Sequence, residues 1–157
     1  MTRRLRVQFS PVRATLDSNI LVCAELQPKQ RKGIAAQRVI EIAAVNGVIA
    51  NLALLDFVTF VRRRLPTSIP SAIAKVEAWA QVFETAPTTS LIMSSALRLV
   101  NAHQFQVWDA VIWSAARAAG ATVFLSEDLQ DGMTLDGKWV VNPFSRSEAE
   151  LQALHAY

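Results

Sequence analysis

Residues 108–132, WDAVIWSAARAAGATVFLSEDLQDG, decide the fold. The first half has apolar residues at helical spacing and ends at Gly120, a residue type that commonly terminates helices. The second half contains Thr122 to Leu125, a short run of β-branched and apolar residues that stops at a polar turn. Such a run is typical of a buried strand. A helix followed directly by a buried strand is the repeating unit of a sheet covered by helices.

The same alternation extends to both sides of this stretch. We expect short strands at 12–16, 48–50, 122–125 and 139–141, with 84–89 as an irregular segment or a weak edge strand. We expect helices at 20–26, 33–45, 52–65, 71–83, 90–102, 108–119 and 148–155. Strands that alternate with helices predict an α/β fold with a parallel sheet that has helices on both faces.

The chain has 157 residues, which predicts a single domain over 1–157. We expect residues 1–12 to form a basic N-terminal extension and residues 145–157 to form a C-terminal helix or tail. Because the single cysteine, Cys23, cannot form an intrachain disulfide, we expect a reducing, cytoplasmic location. No segment has the roughly 18 uninterrupted apolar residues of a membrane span, so no membrane partner is expected.

The charge is unevenly distributed. Residues 1–76 contain 12 of the 16 basic residues but only 4 of the 13 acidic ones. The run Arg62, Arg63 and Arg64 lies in this half. Such an imbalance favours a polyanionic partner such as nucleic acid, although a solvated charged face explains most basic runs.

Four acids stand beside predicted strand ends or helix starts: Asp17, Asp56, Asp109 and Asp128. Asp17 and Asp128 follow the apolar runs ATL and TVFL, Asp56 lies on the helix after the second strand, and Asp109 begins a helix. Sites in open α/β sheets form outside the carboxyl ends of strands, so we expect the four acids to meet at one edge. Four carboxylates together make a site for a hard divalent cation.

Two stretches resemble the PIN-domain ribonucleases, and in particular the VapC-like toxins of bacterial toxin–antitoxin pairs. LDSNIL, residues 16–21, is similar to the opening D-x-N motif of that family. Residues 108–132, followed by GKWVVNPF at 137–144, are similar to its third and fourth motifs and its closing strand. The resemblance covers roughly residues 14–144. It implies a Rossmann-like three-layer α/β/α domain, which we expect to contain a short parallel sheet of four to five strands.

The resemblance further implies Mg²⁺, or alternatively Mn²⁺, and metal-dependent hydrolysis of RNA phosphodiesters. All four acids are then catalytic candidates, with Asp17, Asp109 and Asp128 as metal ligands. Asp56 occupies a position where the family usually has Glu, which is one methylene longer. The implied partners are an RNA substrate, a cognate antitoxin protein and a second copy of the chain. The apolar helices between 52 and 83 offer the surface for a homodimer.

Several neighbouring residues are assigned supporting roles or none. Asn19 is expected to orient Asp17 or a metal-bound water, or else to serve only as a helix-start residue. Ser126 is expected to donate to a carboxylate or a phosphate, or else to be a turn residue. Arg62, Arg63 and Arg64 are weak candidates for RNA binding. Among the remaining residues, we expect Trp108, Trp113 and Cys23 to pack in the core and Glu127 and Asp131 to be solvated turn acids.

Two other functions compete with the nuclease. A catalytically degenerate PIN domain would bind RNA or protein without cleavage, and Asp56 in place of Glu is the feature that favours it. A haloacid-dehalogenase-type phosphohydrolase also opens with a strand and an Asp. That chemistry requires a second acid two residues later, where this chain has Asn19.

Overall fold

A computed structural model describes residues 12–154, and in this part of the chain six strands alternate with seven helices. The strands are β1 Ala14–Leu16, β2 Val48–Ala50, β3 Glu84–Ala86, β4 Val123–Leu125, β5 Thr134–Leu135 and β6 Lys138–Val141. The helices are α1 Ser18–Leu26, α2 Arg31–Ala43, α3 Asn51–Arg64, α4 Ile69–Val82, α5 Ser90–His103, α6 Val107–Ala118 and α7 Glu148–Ala153. The predicted α/β class is confirmed.

The strands form one sheet in the order β3-β2-β1-β4-β6-β5. All neighbouring pairs are parallel except β5 and β6, which are antiparallel. The expectation of four to five strands was therefore slightly low. The additional strand is β5, whose two residues are recognisable only through their pairing with β6. A tight turn with positive φ at Asp136 (50°) and Gly137 (71°) connects them, as two-residue hairpins require.

The core lies on both faces of the central strands. Every residue of β1, β2 and β4 is buried, so these strands contribute side chains to both helical layers. Trp113 of α6 is fully buried, and its ring stacks on Phe124 of β4 at 3.8 Å between centroids. The predicted core position of Cys23 is also confirmed, at 6% exposure.

Trp108, by contrast, is 63% exposed, so its predicted core position is wrong. Trp108 and Trp113 lie five positions apart on α6, which places their side chains about 140° apart around the helix axis. The burial of Trp113 against the sheet therefore directs Trp108 towards solvent.

The ends of several elements differ from the sequence prediction. Pro70, assigned to a loop, lies in the first turn of α4, where proline costs no helical hydrogen bond. The terminal helix is confirmed as α7. The predicted extension 1–12 lies almost wholly outside the described residues. Within residues 12–154, no helix is long and apolar enough to cross a membrane.

Gly33 allows α1 and α2 to approach each other. A Cβ atom at this position would lie 1.7 Å from the backbone oxygen of Gln27, in the turn that follows α1. Since that oxygen belongs to the backbone, it cannot rotate away as a side chain could. The close approach holds α1, whose first residue follows Asp17, against the second helix.

We therefore expect Gly33→Ala to lower the free energy of unfolding by about 3 kcal/mol, although Gly→Ala inside a helix ordinarily stabilises it. Urea denaturation followed by circular dichroism measures this change. Ala35→Gly in the same helix is the matched control and should cost only about 1 kcal/mol through helix propensity. A Gly33→Ala protein as stable as the wild type would show that the two helices are not in close contact.

Candidate functional site

The four predicted acids lie around the carboxyl ends of the central strands. Asp17 directly follows β1 and Asp128 lies three residues after the end of β4. Asp56 is on α3, which begins directly after β2, and Asp109 is in the first turn of α6. The negative charges of Asp17, Asp128 and Asp56 all act on Asp109. The structure therefore brings the four acids to one edge, while their roles in binding and catalysis stay predictions.

Asp17 is held rigidly at the junction of β1 and β4. Its backbone N–H donates to the carbonyl of Leu125 at 3.0 Å, which continues the pairing of the two strands. Its Oδ1 accepts the backbone N–H of Ser18 at 2.8 Å, and its Oδ2 accepts the hydroxyl of Ser126 at 2.7 Å. Burial raises the pKa of this carboxyl; the two hydrogen bonds oppose that rise, and the charges of Asp128 and Asp56 add to it.

Ser126 connects Asp17 to the loop that carries Asp128. Its hydroxyl is buried and also accepts the backbone N–H groups of Asp128 at 3.1 Å and Leu129 at 3.4 Å. The predicted hydrogen bond from the Ser126 hydroxyl to a carboxylate is therefore present, with Asp17 as the acceptor. Removing a buried hydroxyl with these contacts would leave several polar groups without a partner.

Asn19 lies between Asp17 and Asp128. Its Nδ2 donates to Oδ2 of Asp128 at 2.9 Å and to Oδ2 of Asp17 at 3.3 Å. Its Oδ1 is buried and has no hydrogen-bond partner among the described residues. A buried carbonyl oxygen without a partner costs about 1–3 kcal/mol, so this atom is available to a water or a cation.

Ser18 is a site residue that the sequence reasoning missed. Its hydroxyl donates to Oδ2 of Asp56 at 2.6 Å and so connects the start of α1 to α3. In the sequence, Ser18 lies between Asp17 and Asn19, and this position was the signal that could have identified it. This contact matters because Asp56 is shorter than the Glu typical of the resembling family. The hydrogen bond from the Ser18 hydroxyl fixes the orientation of the carboxylate on the shorter Asp56 side chain.

Asp109 differs from the other three acids because no described residue forms a hydrogen bond or an ion pair with its carboxylate. It is half-buried, and burial together with the charges of Asp17, Asp128 and Asp56 raises its pKa to about 6. Asp109 and Asp17 line the same small cavity of about 10 Å³, with Trp113 and Phe124 in its wall. An ionised Asp109 is therefore poorly stabilised by the protein itself.

The chemistry of these donors fits a hard divalent cation. Among residues 12–154, no lysine, arginine or histidine forms an ion pair with any of the four acids. In the same part of the chain, no three His, Cys, Asp or Glu side chains are grouped closely enough to hold an ion among themselves. Mg²⁺ needs no such cage, because it commonly binds one or two carboxylates and keeps several waters.

The arginine run lies apart from the acids. Arg62, Arg63 and Arg64 occupy the exposed last turn of α3, and the Arg64 guanidinium lies 5.3 Å from the ring centroid of Phe60. Arg62 follows Asp56 by six positions, a rise of about 9 Å along the helix. The arginines are therefore placed beyond the carboxylate site, where only an extended ligand would reach both.

The two acids assigned to turns each have a basic partner. Glu127 forms an ion pair with Lys32, which draws its carboxylate towards α2. Asp131 pairs with Arg146 at 3.0 Å and accepts the backbone N–H of Asn142 at 2.8 Å. Both acids therefore stabilise loops and add no unpaired charge to the site.

Similarity to known proteins is found at the level of structure. VapC20, a sarcin–ricin-loop-cleaving toxin of Mycobacterium tuberculosis, superimposes with a TM-score of 0.61 at 16% identity, over 73% of this chain and 91% of the toxin. The fold is that of the VapC toxins. A toxin–antitoxin complex from Klebsiella pneumoniae also matches, with a TM-score of 0.61 at 16% identity and coverage of 83% and 97%.

DNA-bound VapBC from Salmonella typhimurium matches with a TM-score of 0.59 at 14% identity, over 82% of this chain and 96% of that one. No family model matches the sequence, and no curated protein is similar enough to match it. The expected PIN-domain architecture is thus confirmed through the fold.

The raised pKa of Asp109 predicts how stability changes with pH. The folded protein binds this proton more tightly than the unfolded chain, so stability falls as the pH rises from 3.8 to about 6 and stays lowered above that. We expect Asp109→Asn to raise the unfolding temperature near neutral pH and to flatten this dependence. Added Mg²⁺ should stabilise the wild type but not the variant.

Thermal unfolding measured across this pH range, with and without Mg²⁺, tests the prediction. Glu77→Gln, which removes an exposed acid of α4 outside the site, is the control and should behave as the wild type does. An Asp109→Asn protein less stable than the wild type at neutral pH would contradict the unfavourable burial of this charge.

Proposed function

We propose that this protein is a metal-dependent endoribonuclease and the toxin of a toxin–antitoxin pair. The observation that carries the proposal is the pair Asp17 and Asp109, two buried or half-buried carboxylates without a cationic partner among the described residues. They lie at the carboxyl edge of a fold shared with VapC20, which cleaves an RNA loop. A polyanionic substrate also suits the basic N-terminal half of the chain.

Each residue at the site is assigned a role in the hydrolysis of a phosphodiester bond. Asp17 and Asp109 would hold Mg²⁺, or Mn²⁺ in its place, and Asp128 would hold a second ion or one of its waters. When bound, the metal stabilises the developing negative charge on the phosphate and makes an attacking water more acidic.

The protein's own contribution to catalysis is positioning. Ser126 and the Ser18 backbone fix Asp17, and Asn19 keeps Asp128 beside it. Asp56, oriented by the Ser18 hydroxyl, would accept a hydrogen bond from the attacking water and align it. The arginines at the end of α3 would contact phosphates of the RNA beyond the scissile bond.

We expect Asp17→Asn and Asp109→Asn each to reduce RNA cleavage by roughly 100-fold or more, because each removes charge that the metal requires. Removal of divalent cations with a chelator should abolish cleavage, and Mg²⁺ should restore it. Asp136→Asn, which changes an exposed acid in the β5–β6 turn, is the matched control and should cleave normally. Unchanged cleavage by both site variants would overturn the proposal.

The alternative is a degenerate PIN domain that binds RNA or protein without cleavage, and Asp56 is the observation that favours it. Calorimetry that shows binding of metal and RNA by the wild type, while no product forms, would support this alternative. Asp56→Glu then becomes informative. If this variant gains cleavage activity, the shorter side chain is the cause of the lost activity.

Two protein partners belong to the proposal: a cognate antitoxin and a second copy of this chain. α3, α5 and α6 form an apolar groove of about 430 Å³, whose walls include Leu55, Leu97, Val107 and Trp108. These four side chains are between 48% and 63% exposed, an amount of exposed apolar surface typical of interfaces. A toxin released from its antitoxin would leave this groove in water, whereas a homodimer would keep it covered, so we assign the groove to the homodimer.

Sedimentation equilibrium should therefore show a dimer at micromolar concentrations. Leu97→Arg should shift the protein to a monomer, because a charge in a buried interface must be desolvated without a partner. Val45→Arg is the control, since Val45 is 83% exposed and lies outside the groove. A monomeric wild type, or a Leu97→Arg protein that stays dimeric, would contradict the assignment.

A further inference from the structure

A second groove lies between α5 and α6, apart from the carboxylate site. It has a volume of about 470 Å³, within the range of roughly 300–1,000 Å³ found for small-molecule sites. Ser114 of α6 lines it, whereas Asp109 of the same helix lines the small cavity at the carboxylate site. These two residues are five positions apart and so face about 140° away from each other. The groove is thus a separate surface of the protein.

Basic side chains dominate the polar part of this groove. Arg98 and His103 of α5 and Arg117 of α6 all line it, and Asp136 is the acid among its lining residues. Arg98 donates to the hydroxyl of Ser95 at 3.0 Å and has no carboxylate partner among the described residues. The groove therefore has an excess of positive charge, although it lies in the acidic half of the sequence.

The Arg117 guanidinium is occupied by an acid that a ligand can replace. It pairs with Asp136 at 2.7 Å, and both side chains are about half exposed, at 43% and 53%. An ion pair this exposed stabilises the protein little, because water screens the attraction. An anion that contacted Arg98 and Arg117 together would compete well with the single carboxylate.

Ser114 supplies a buried polar group that lacks a partner. The residue is 5% exposed, and its hydroxyl has no hydrogen bond to any described residue. A buried hydroxyl is nearly always bonded to protein or to a bound molecule. Because this hydroxyl has almost no accessible surface, an oxygen acceptor bound in the groove reaches it only when neighbouring side chains shift.

The remaining wall is apolar, with Leu91 and Leu99 among its residues. Leu91 is 75% exposed, and the protein itself does not cover its side chain. An apolar group bound here would therefore remove apolar surface of Leu91 from water. A ligand that satisfies the whole groove therefore has an anionic head for the guanidinium groups and a flat or apolar body for the leucines.

We propose that the groove between α5 and α6 binds a small phosphate monoester with an apolar or aromatic body, such as a nucleoside monophosphate. Phosphate oxygens match the planar fork of an arginine and accept hydrogen bonds from hydroxyl groups. Arg98 and Arg117 bind the phosphate, Ser114 donates to it, and the leucines contact the body. Asp136 competes with the phosphate for Arg117. The site does not depend on RNA cleavage at the carboxylates.

Calorimetric titration of the full chain with AMP, adenosine and inorganic phosphate tests this inference. AMP should bind more tightly than either fragment, because only AMP uses both parts of the groove. Arg98→Gln and Arg117→Gln should each weaken AMP binding about tenfold, the effect of one charge-assisted hydrogen bond. Arg146→Gln is the matched control and should not change it, since that partly buried arginine pairs with Asp131 elsewhere.

Two further variants separate binding from folding. Asp136→Asn should strengthen AMP binding about threefold by releasing Arg117, and asparagine tolerates the positive φ of 50° at this turn. Ser114→Ala should weaken AMP binding without lowering the unfolding temperature, because the removed hydroxyl has no partner in the protein. A loss of stability on Ser114→Ala would instead assign the hydroxyl to the fold and overturn its role here.

Three results would overturn the proposal as a whole: no binding of AMP, equal binding of adenosine and AMP, or arginine variants that bind AMP as the wild type does. A short RNA that binds more tightly than AMP and is weakened by the same variants would also overturn it, because the groove would then be an RNA-binding surface. If the groove binds a phosphate monoester as proposed, RNA cleavage by Asp136→Asn should stay normal, which keeps this test separate from that of the nuclease.

Discussion

The junction between β1 and β4 is the constraint on which the site depends. The two central strands pair in parallel, and the backbone of Asp17 continues that pairing one residue beyond the end of β1. The hydroxyl of Ser126, one residue beyond β4, then reaches the Asp17 carboxylate. The pairing of β1 with β4 therefore fixes the position of the buried Asp17 carboxylate. Asn19 donates hydrogen bonds to Asp17 and Asp128, and the backbone N–H of Asp128 donates to Ser126.

The electrostatics of the edge are unfavourable without a ligand. Hydrogen bonds partly offset the burial of Asp17, whereas Asp109 has neither a hydrogen bond nor an ion pair to the described residues and its pKa rises to about 6. Like charges raise the pKa of both groups. Proteins retain such clusters where function requires a cation or a proton at that place. This cost in stability is the physical argument on which the proposal of metal-dependent chemistry rests.

Different sides of α6 contribute to different parts of the protein. Its buried side carries Trp113, which stacks on β4, and its first turn carries Asp109. Trp108 contributes to the apolar groove beside α3 and α5, while Ser114 and Arg117 line the charged groove on another side. Each surface follows from the rotation of about 100° per residue around the helix. Packing of α6 against the sheet therefore sets the positions of three candidate sites at once.

The sequence by itself determined the α/β class and the positions of the acids at strand ends and helix starts. These features are local, since the periodicity of apolar residues and the residues that stop an element are visible in short windows. The tertiary structure alone decided the pairing of β5, the hydrogen bond from Ser18 to Asp56 and the exposure of Trp108. These depend on contacts between residues distant in the chain. The charged groove also belongs to this group, because Arg98, Arg117 and Asp136 come together only when α5, α6 and the hairpin pack, and no periodic pattern records that.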